Sequence, residues 1–215
     1  MSHDAATRQS ETLTMYADYV CPFCYLGEAS LERYRNERDE PLDVEWHPFD
    51  LRSGKRGPDG EIDTEADDGK DEEYYAQARE NVERLQQEYD VEMALTLATD
   101  VDSKPAQQAA LFVREGYPEK FEEFHEAVFD ALWQDERDIG DPDVLADLAE
   151  NLGVPSDDLR AALDDAERES ALETKFTEAQ QVGVTGVPTF AYDGYAARGA
   201  VPPEQLRRLV EGERA

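Results

Sequence analysis

The stretch Asp18-Tyr19-Val20-Cys21-Pro22-Phe23-Cys24-Tyr25-Leu26-Gly27 decides the fold, because it holds both cysteines of the 215-residue chain. An alternating run, Leu13-Thr14-Met15-Tyr16-Ala17, precedes it, and a helix-compatible run from Tyr25 to Arg38 follows. The pair therefore falls where a strand ends and a helix begins. A C-x-x-C at such a turn reads as a dithiol that opens and closes. The unpaired N–H groups and the dipole at a helix start favour an anion, so Cys21, lying first, is the expected thiolate. Cys24 falls inside the first turn and is expected to be more shielded. Pro22 suits an early helical position, where a missing N–H costs nothing. The spacing lets the second thiol attack a mixed disulfide made by the first. The alternatives are half of a metal site or two inert thiols. A structural zinc site needs four protein ligands, and the only imidazoles, His3, His47 and His125, stand at no finger-like spacing.

Outward from this turn, Leu13–Tyr19 reads as a first strand, Pro22–Arg38 as a helix and Leu42–Phe49 as a second strand. In the latter, Leu42, Val44 and Trp46 alternate with Asp43, Glu45 and His47. Strand, helix, strand over this length predicts a right-handed parallel unit. Residues 50–72 lose all periodicity and place five glycines and prolines among charges, which predicts a loop long enough for a lid. Helices are expected over Glu72–Tyr89, Ser103–Glu115, Pro118–Gln134, Pro142–Asn151, Ser156–Leu163 (with Ser156 as N-cap) and Glu167–Val182. The short apolar run Val91–Leu97 reads as extended. In Pro118–Gln134 the apolar side is Phe121, Phe124, His125, Val128, Phe129, Leu132 and Trp133, and His125 reads as a packing histidine. Strand character returns in Thr189–Tyr192 and Tyr195–Ala197, which flank the hairpin turn Asp193-Gly194. Pro202–Glu211 is the final helix, and residues 1–11 are expected to be a frayed arm. Strands at both ends with helices between predict one α/β domain, 12–64 plus 183–215, carrying a helical insertion over 65–182.

Charge bounds the function. The chain has 52 acidic and 21 basic residues, a formal net charge of -31, and only five lysines. Such a surface repels nucleic acid and repels itself at low salt. Yet 40% of the residues are hydrophobic, and many acids lie within helical patterns, unlike a disordered acidic tail. An acid-coated globular protein suited to high salt is expected, rather than one carrying a specific acidic binding surface. No apolar run approaches membrane-spanning length. The polar N-terminus has no signal-like apolar core, so a cytoplasmic location is expected.

A second motif, Gly183-Val184-Thr185-Gly186-Val187-Pro188-Thr189-Phe190, stands just before the late hairpin. Alone, an X–Pro bond is expected to be trans; paired with the C-x-x-C turn, Val187-Pro188 is expected to be cis. The two motifs together resemble the thioredoxin superfamily in its DsbA-like branch. Within that branch the chain is most similar to FrnE-like dithiol oxidoreductases, relatives of the 2-hydroxychromene-2-carboxylate isomerases and kappa-class glutathione transferases. The resemblance covers nearly the whole chain. It implies a thioredoxin-like fold with the helical domain inserted between the N-terminal β-α-β unit and the C-terminal hairpin plus helix. It also implies Cys21 as nucleophile, Cys24 as resolving thiol and a cis Pro188 facing the dithiol, with Pro22, Phe23 and Val187 against the substrate. Two departures stand out. Phe23 replaces a common Trp, and Gln107 and Gln108 occupy the place of a family His and Arg in Asp102-Ser103-Lys104-Pro105-Ala106-Gln107-Gln108.

The implied function is thiol–disulfide exchange on protein or small-molecule substrates. No bound cofactor or metal is expected beyond the Cys21–Cys24 pair, with glutathione or another low-molecular-weight thiol as a possible co-substrate. Related isomerases and transferases typically carry serine at the first active position, so two cysteines favour exchange over a glutathione- or thiol-dependent isomerisation. A non-catalytic binding module is the third reading. Partners are expected to be thiols and disulfides, without nucleic acid or membrane; the sequence leaves monomer or weak homodimer open.

Overall fold

The computed structural model describes residues 12–58, 60–63, 66, 69–96 and 98–212. It is α/β. The chain begins with β1 (Leu13–Ala17), α1 (Pro22–Asn36) and β2 (Val44–Pro48). The helices α2 (Glu72–Tyr89), α3 (Lys104–Gly116), α4 (Phe121–Trp133), α5 (Pro142–Asn151), α6 (Ser156–Leu163) and α7 (Ala166–Gln181) follow. It closes with β3 (Thr189–Tyr192), β4 (Tyr195–Arg198) and α8 (Pro203–Glu211). The strand order is β2-β1-β3-β4; β2 runs parallel to β1, whereas β3 is antiparallel to both β1 and β4. In the β3–β4 turn Asp193 and Gly194 both have positive φ, 46° and 80°. That is the backbone an Asp-Gly hairpin turn supplies at low steric cost.

The register explains how helices cover both faces. Met15, Trp46 and Phe190 stand in one row across β1, β2 and β3, and Tyr16, His47 and Thr189 point to the opposite face. α1 lies against the first row. A Cβ on Gly27 would come 3.2 Å from Pro188 Cγ and 3.3 Å from Phe190 Cζ, so the bare glycine lets α1 approach β3. α4 completes that side, with His125 against Trp46 at 5.3 Å between ring centroids. α7 covers the other face, where Phe49, Ala179 and Val184 cluster with Tyr16. One apolar core joins Leu13, Met15 and Phe190 of the sheet to Phe124, Leu145 and Leu172 of the helices.

Several expectations need correction. Ser156 is the first residue of α6, not its cap: Pro155 holds the cap position, and no side chain caps the helix. Pro118–Gln134 is two pieces, because Pro118–Lys120 forms a 3-10 turn in which Lys120 N–H donates to Tyr117 O before α4 begins. The described part of Val91–Leu97 forms no strand; it is held from the side, with Ala94 N–H donating to Trp133 O and Gln86 Nε2 to Met93 O. Leu97 and the expected arm at 1–11 lie outside the described residues. The residues just after β2 are joined to the start of α3 through Arg56. Its guanidinium donates to Asp50 at 2.7 Å and to both Asp102 oxygens at 2.8 and 2.9 Å.

Candidate active site

β1 ends at Ala17, and the next four residues turn the chain into α1. Cys21 N–H donates to Asp18 O, and Cys21 O accepts from Cys24 N–H at 2.9 Å, opening the helix. Cys21 is the cap residue, with extended backbone, and Pro22 holds the first helical position. Cys24 is therefore in the first turn, as the spacing predicts. The two cysteines lie 3.4 Å apart and no disulfide joins them. Their surroundings differ. Cys21 lines a cleft of about 460 Å³, together with Phe23, Leu51, Tyr74, Tyr75 and Val187. Cys24 is fully enclosed. Burial raises the Cys24 thiol well above its usual pKa; neighbouring Cys21 and the Asp18 carboxylate add to that, and the Asp18 backbone N–H opposes it.

The second motif meets the first. The Val187–Pro188 peptide is cis, and Cys21 Sγ lies 3.5 Å from Val187 O. Val187 N–H has no hydrogen-bond partner among the described residues. Pro22 and Phe23 border the same cleft. The fold thus brings Cys21, Cys24, Pro22, Phe23, Val187 and Pro188 into one place.

Asp18 opens the cysteine stretch, and its sequence context assigns it no part. It has no exposed surface and accepts from Leu51 N–H at 2.8 Å and Val20 N–H at 3.2 Å. Burial pushes its pKa up to about 6; bonds from Ser103, Leu51 and Val20 act against this. An acid directly after an apolar alternation and three residues before the first cysteine was the available signal. The departures Gln107 and Gln108 are both buried. Gln107 Nε2 donates to Phe49 O and Ser103 Oγ, leaving Gln107 Oε1 without a partner among the described residues, whereas Gln108 Nε2 donates to Ala162 O at 2.7 Å. Gln107 therefore joins the polar interior around Asp18, and Gln108 satisfies the end of α6.

His125 packs, as expected, but is also wired. Its Nε2 lies 2.9 Å from Glu28 Oε1 and its Nδ1 2.7 Å from Tyr19 Oη. A carboxylate can only accept, so Nε2 donates to Glu28, and Nδ1 pairs with the Tyr19 hydroxyl. The chain holds the strand-to-helix turn from behind, aided by Trp133 Nε1, which donates to Tyr19 O at 2.8 Å.

The chain is similar to several known proteins. The uncharacterized protein YwbO of Bacillus subtilis (strain 168) is 30% identical over 210 residues, covering 94% of this chain and 96% of its own. A probable DsbA oxidoreductase from Streptomyces coelicolor superposes with a TM-score of 0.76 at 23% identity, covering 95% of this chain and 92% of its own. A 2-hydroxychromene-2-carboxylate isomerase gives 0.73 at 18% identity, covering 92% of each chain. The cytosolic disulfide reductase DsbM from Pseudomonas aeruginosa, solved with GSH, gives 0.60 at 21% identity, again over 92% of each. At such identities the structural likenesses speak for the fold. Residues 12–211 match the DSBA-like thioredoxin domain, and the chain belongs to that family.

Proposed function

We propose that the protein is a thiol–disulfide oxidoreductase that works through Cys21 and Cys24. The observation that carries this is the asymmetry of the pair: two thiols within contact distance, one opening on a cleft and one sealed behind it. In the reducing direction, Cys21 as thiolate attacks a substrate disulfide, forming a mixed disulfide and releasing one substrate thiolate. Cys24 then attacks Cys21 Sγ, releasing the second. The protein dithiol loses two electrons, the substrate disulfide gains them, and the two thiol protons end on the released thiols. The oxidising direction is the reverse.

The helix start supports negative charge on Cys21. Cys24 needs a base, because burial holds its proton. Asp18, enclosed beside it and ionised above about pH 6, is the group suited to take that proton. The N–H of Val187 is placed to pair with an extended substrate alongside Cys21, with Pro22 and Phe23 flanking it. Glutathione or another small thiol fits the same chemistry as co-substrate. The serine-based isomerisation of related enzymes is disfavoured by Cys21 itself.

Cys24→Ser removes the second attacker and leaves the first. It should accumulate adducts on Cys21 that intact-mass spectrometry identifies after rapid thiol quenching, and Cys21→Ser should accumulate none. Full multiple turnover by Cys24→Ser, with no trapped adduct, would refute the two-cysteine mechanism. Protein adducts point to protein substrates, and small-thiol adducts to a small co-substrate.

A further inference from the structure

Ser103 holds the cap position of α3 but does not cap the helix. Asp102 Oδ1 accepts the Lys104 N–H there instead, at 2.9 Å. A serine at a helix cap ordinarily spends its hydroxyl on the helix's free N–H groups; this one is 1% exposed and turned inward, onto Asp18. Gln107, one turn further along α3 and fully enclosed, decides which way that hydroxyl bonds. Its Nε2 lies 3.2 Å from Phe49 O and 3.1 Å from Ser103 Oγ. A backbone carbonyl only accepts, so the amide nitrogen, not the oxygen, faces Phe49. One Nε2 hydrogen goes to Phe49 O and the other to Ser103 Oγ. Ser103 Oγ thus accepts from Gln107, and its own hydrogen is left to donate to Asp18. The other titratable or charged groups facing Asp18 are Cys24 and Tyr19, near it in the chain, and Asp50 and Arg52 of the segment after β2. Among the described residues none of these side chains donates a hydrogen bond to the carboxyl, and Ser103 is its one side-chain donor.

We propose that Ser103, held by Gln107, is a positioning residue for thiol–disulfide exchange: it keeps the Asp18 carboxylate set to take the proton of Cys24. This rests on the thiol–disulfide reading above. In the resolving step the Cys24 sulfur bonds Cys21 Sγ, and the bond from Cys21 to the substrate sulfur breaks. Its electron pair leaves on the substrate thiolate, and the Cys24 proton passes to Asp18. A buried acid tends to keep its own proton, which would disable it as a base. A hydroxyl donor favours the ionised form, because its bond to a carboxylate is charge-assisted. Ser103 thereby offsets part of the burial that opposes ionisation, together with the N–H groups of Leu51 and Val20. Gln107 is neutral at every pH, so the orientation it imposes persists as Asp18 titrates.

The test mixes fully reduced protein with excess dithiobis(nitrobenzoate) in stopped flow, at fixed high salt, and follows the coloured thiolate from about pH 5 to pH 9. The first equivalent reports attack by Cys21, and its rate grows with reagent concentration. The second, independent of that concentration, reports attack by Cys24 on the mixed disulfide. In the native protein the second phase should quicken with a midpoint near 6, where Asp18 ionises. Ser103→Ala removes one hydrogen bond to a charged group, so the midpoint should rise by about 1 unit or more. The second phase of the variant should then be about fivefold slower near pH 6 and within about twofold of native near pH 8. Ser103→Thr keeps the hydroxyl and should restore the midpoint. Gln107→Met lets the hydroxyl turn away and should move the midpoint the same way by less; it carries the test if Ser103→Ala does not melt cooperatively. A rate loss equal at every pH marks a merely structural role and overturns the inference. So does an unmoved midpoint, or a native second phase with no midpoint near 6, and each of these leaves exchange chemistry standing. Absence of any second equivalent from the native protein overturns the underlying functional reading instead.

Discussion

Replacing Asp18 by Asn separates the cost of a buried acid from its use. The carboxyl is fully enclosed and no cation among the described residues touches it; its partners are the N–H groups of Leu51 and Val20 and the Ser103 hydroxyl. Its pKa rises from 3.8 to about 6 on folding. For an acid, a raised pKa means that the folded state holds the proton more tightly. The resulting stabilisation is complete below the unfolded value and is lost as pH rises through about 6. At 1.36 kcal/mol per pH unit, the gap corresponds to about 3 kcal/mol, lost between about pH 4 and pH 7.

The amide of the Asp18→Asn variant cannot titrate, so that loss is absent from it. An amide also offers one acceptor oxygen where two N–H groups now donate, and this mismatch costs about 1–3 kcal/mol at every pH. The two effects separate in the pH dependence. Denaturant melts of both proteins, at fixed high salt and at points from about pH 4 to pH 8, give a stability difference in which the other carboxylates cancel. That difference should move by about 2–3 kcal/mol in favour of the variant as pH rises, half of it by about pH 5 and nearly all of it above about pH 6. In the same variant the second exchange step should slow, so mixed disulfides on Cys21 should live longer. A stability difference that is flat with pH would refute the buried, unpaired state of Asp18. Unchanged lifetimes would refute its service to Cys24.

Arg56→Met leaves Asp50, which is 6% exposed, and Asp102 without their cation, and loss of one partner from a buried ion pair costs about 3–5 kcal/mol; a midpoint shift below about 1 kcal/mol in denaturant melts would show the loop anchor to be dispensable. Gly27→Ala gains about 1 kcal/mol of helix propensity but drives a methyl to 3.2 Å from Pro188 Cγ; net destabilisation by about 1–2 kcal/mol is expected, and a stabilised variant would mean that α1 has room to spare. The net charge of -31 should make the unfolding midpoint climb from dilute buffer to molar KCl as self-repulsion is screened; a flat or falling midpoint would contradict this.

The parts legible in the sequence were those written in local pattern. Cys21, Pro22 and Cys24 occupy the cap, first and third helical positions that their spacing dictates. Asp193-Gly194 makes its turn from two residues with positive φ. Glu72–Tyr89 and Pro142–Asn151 begin and end where composition and Pro142 place them. The illegible parts depend on contacts between distant segments. Asp18 follows an apolar alternation directly, but its burial comes from Leu51 and Ser103, 33 and 85 residues further along the chain, which close over it. His125 shows an apolar helix position in sequence, whereas its partners Tyr19 and Glu28 are 106 and 97 residues away. Lys55 and Lys70 read as ordinary loop charges, whereas the fold sets both in the lining of the cleft that Cys21 also lines. The failure at Ser156 is of another kind: a serine before a helix invites a cap, but the chain starts α6 one residue earlier, behind Pro155.

In a chain this acidic, cations are the scarce component, so their placement carries information. Some bases meet carboxylates on the surface, and exposed pairs such as Arg84–Glu88 contribute little. Several bases are instead directed inward onto carbonyls that join separate elements. Arg33 donates to Tyr89 O at 2.7 Å, tying α1 to α2; Arg114 donates to Trp46 O at 2.7 Å, tying α3 to β2; Arg52 donates to Thr99 O at 2.6 Å. Lys104, itself buried, draws Glu169 and Glu173 of α7 onto the start of α3. Salt screens exposed charge pairs, but it leaves largely intact a hydrogen bond to a neutral carbonyl or a pair shielded from water. The fold can therefore gain from screened repulsion in concentrated salt without losing the contacts that join its elements.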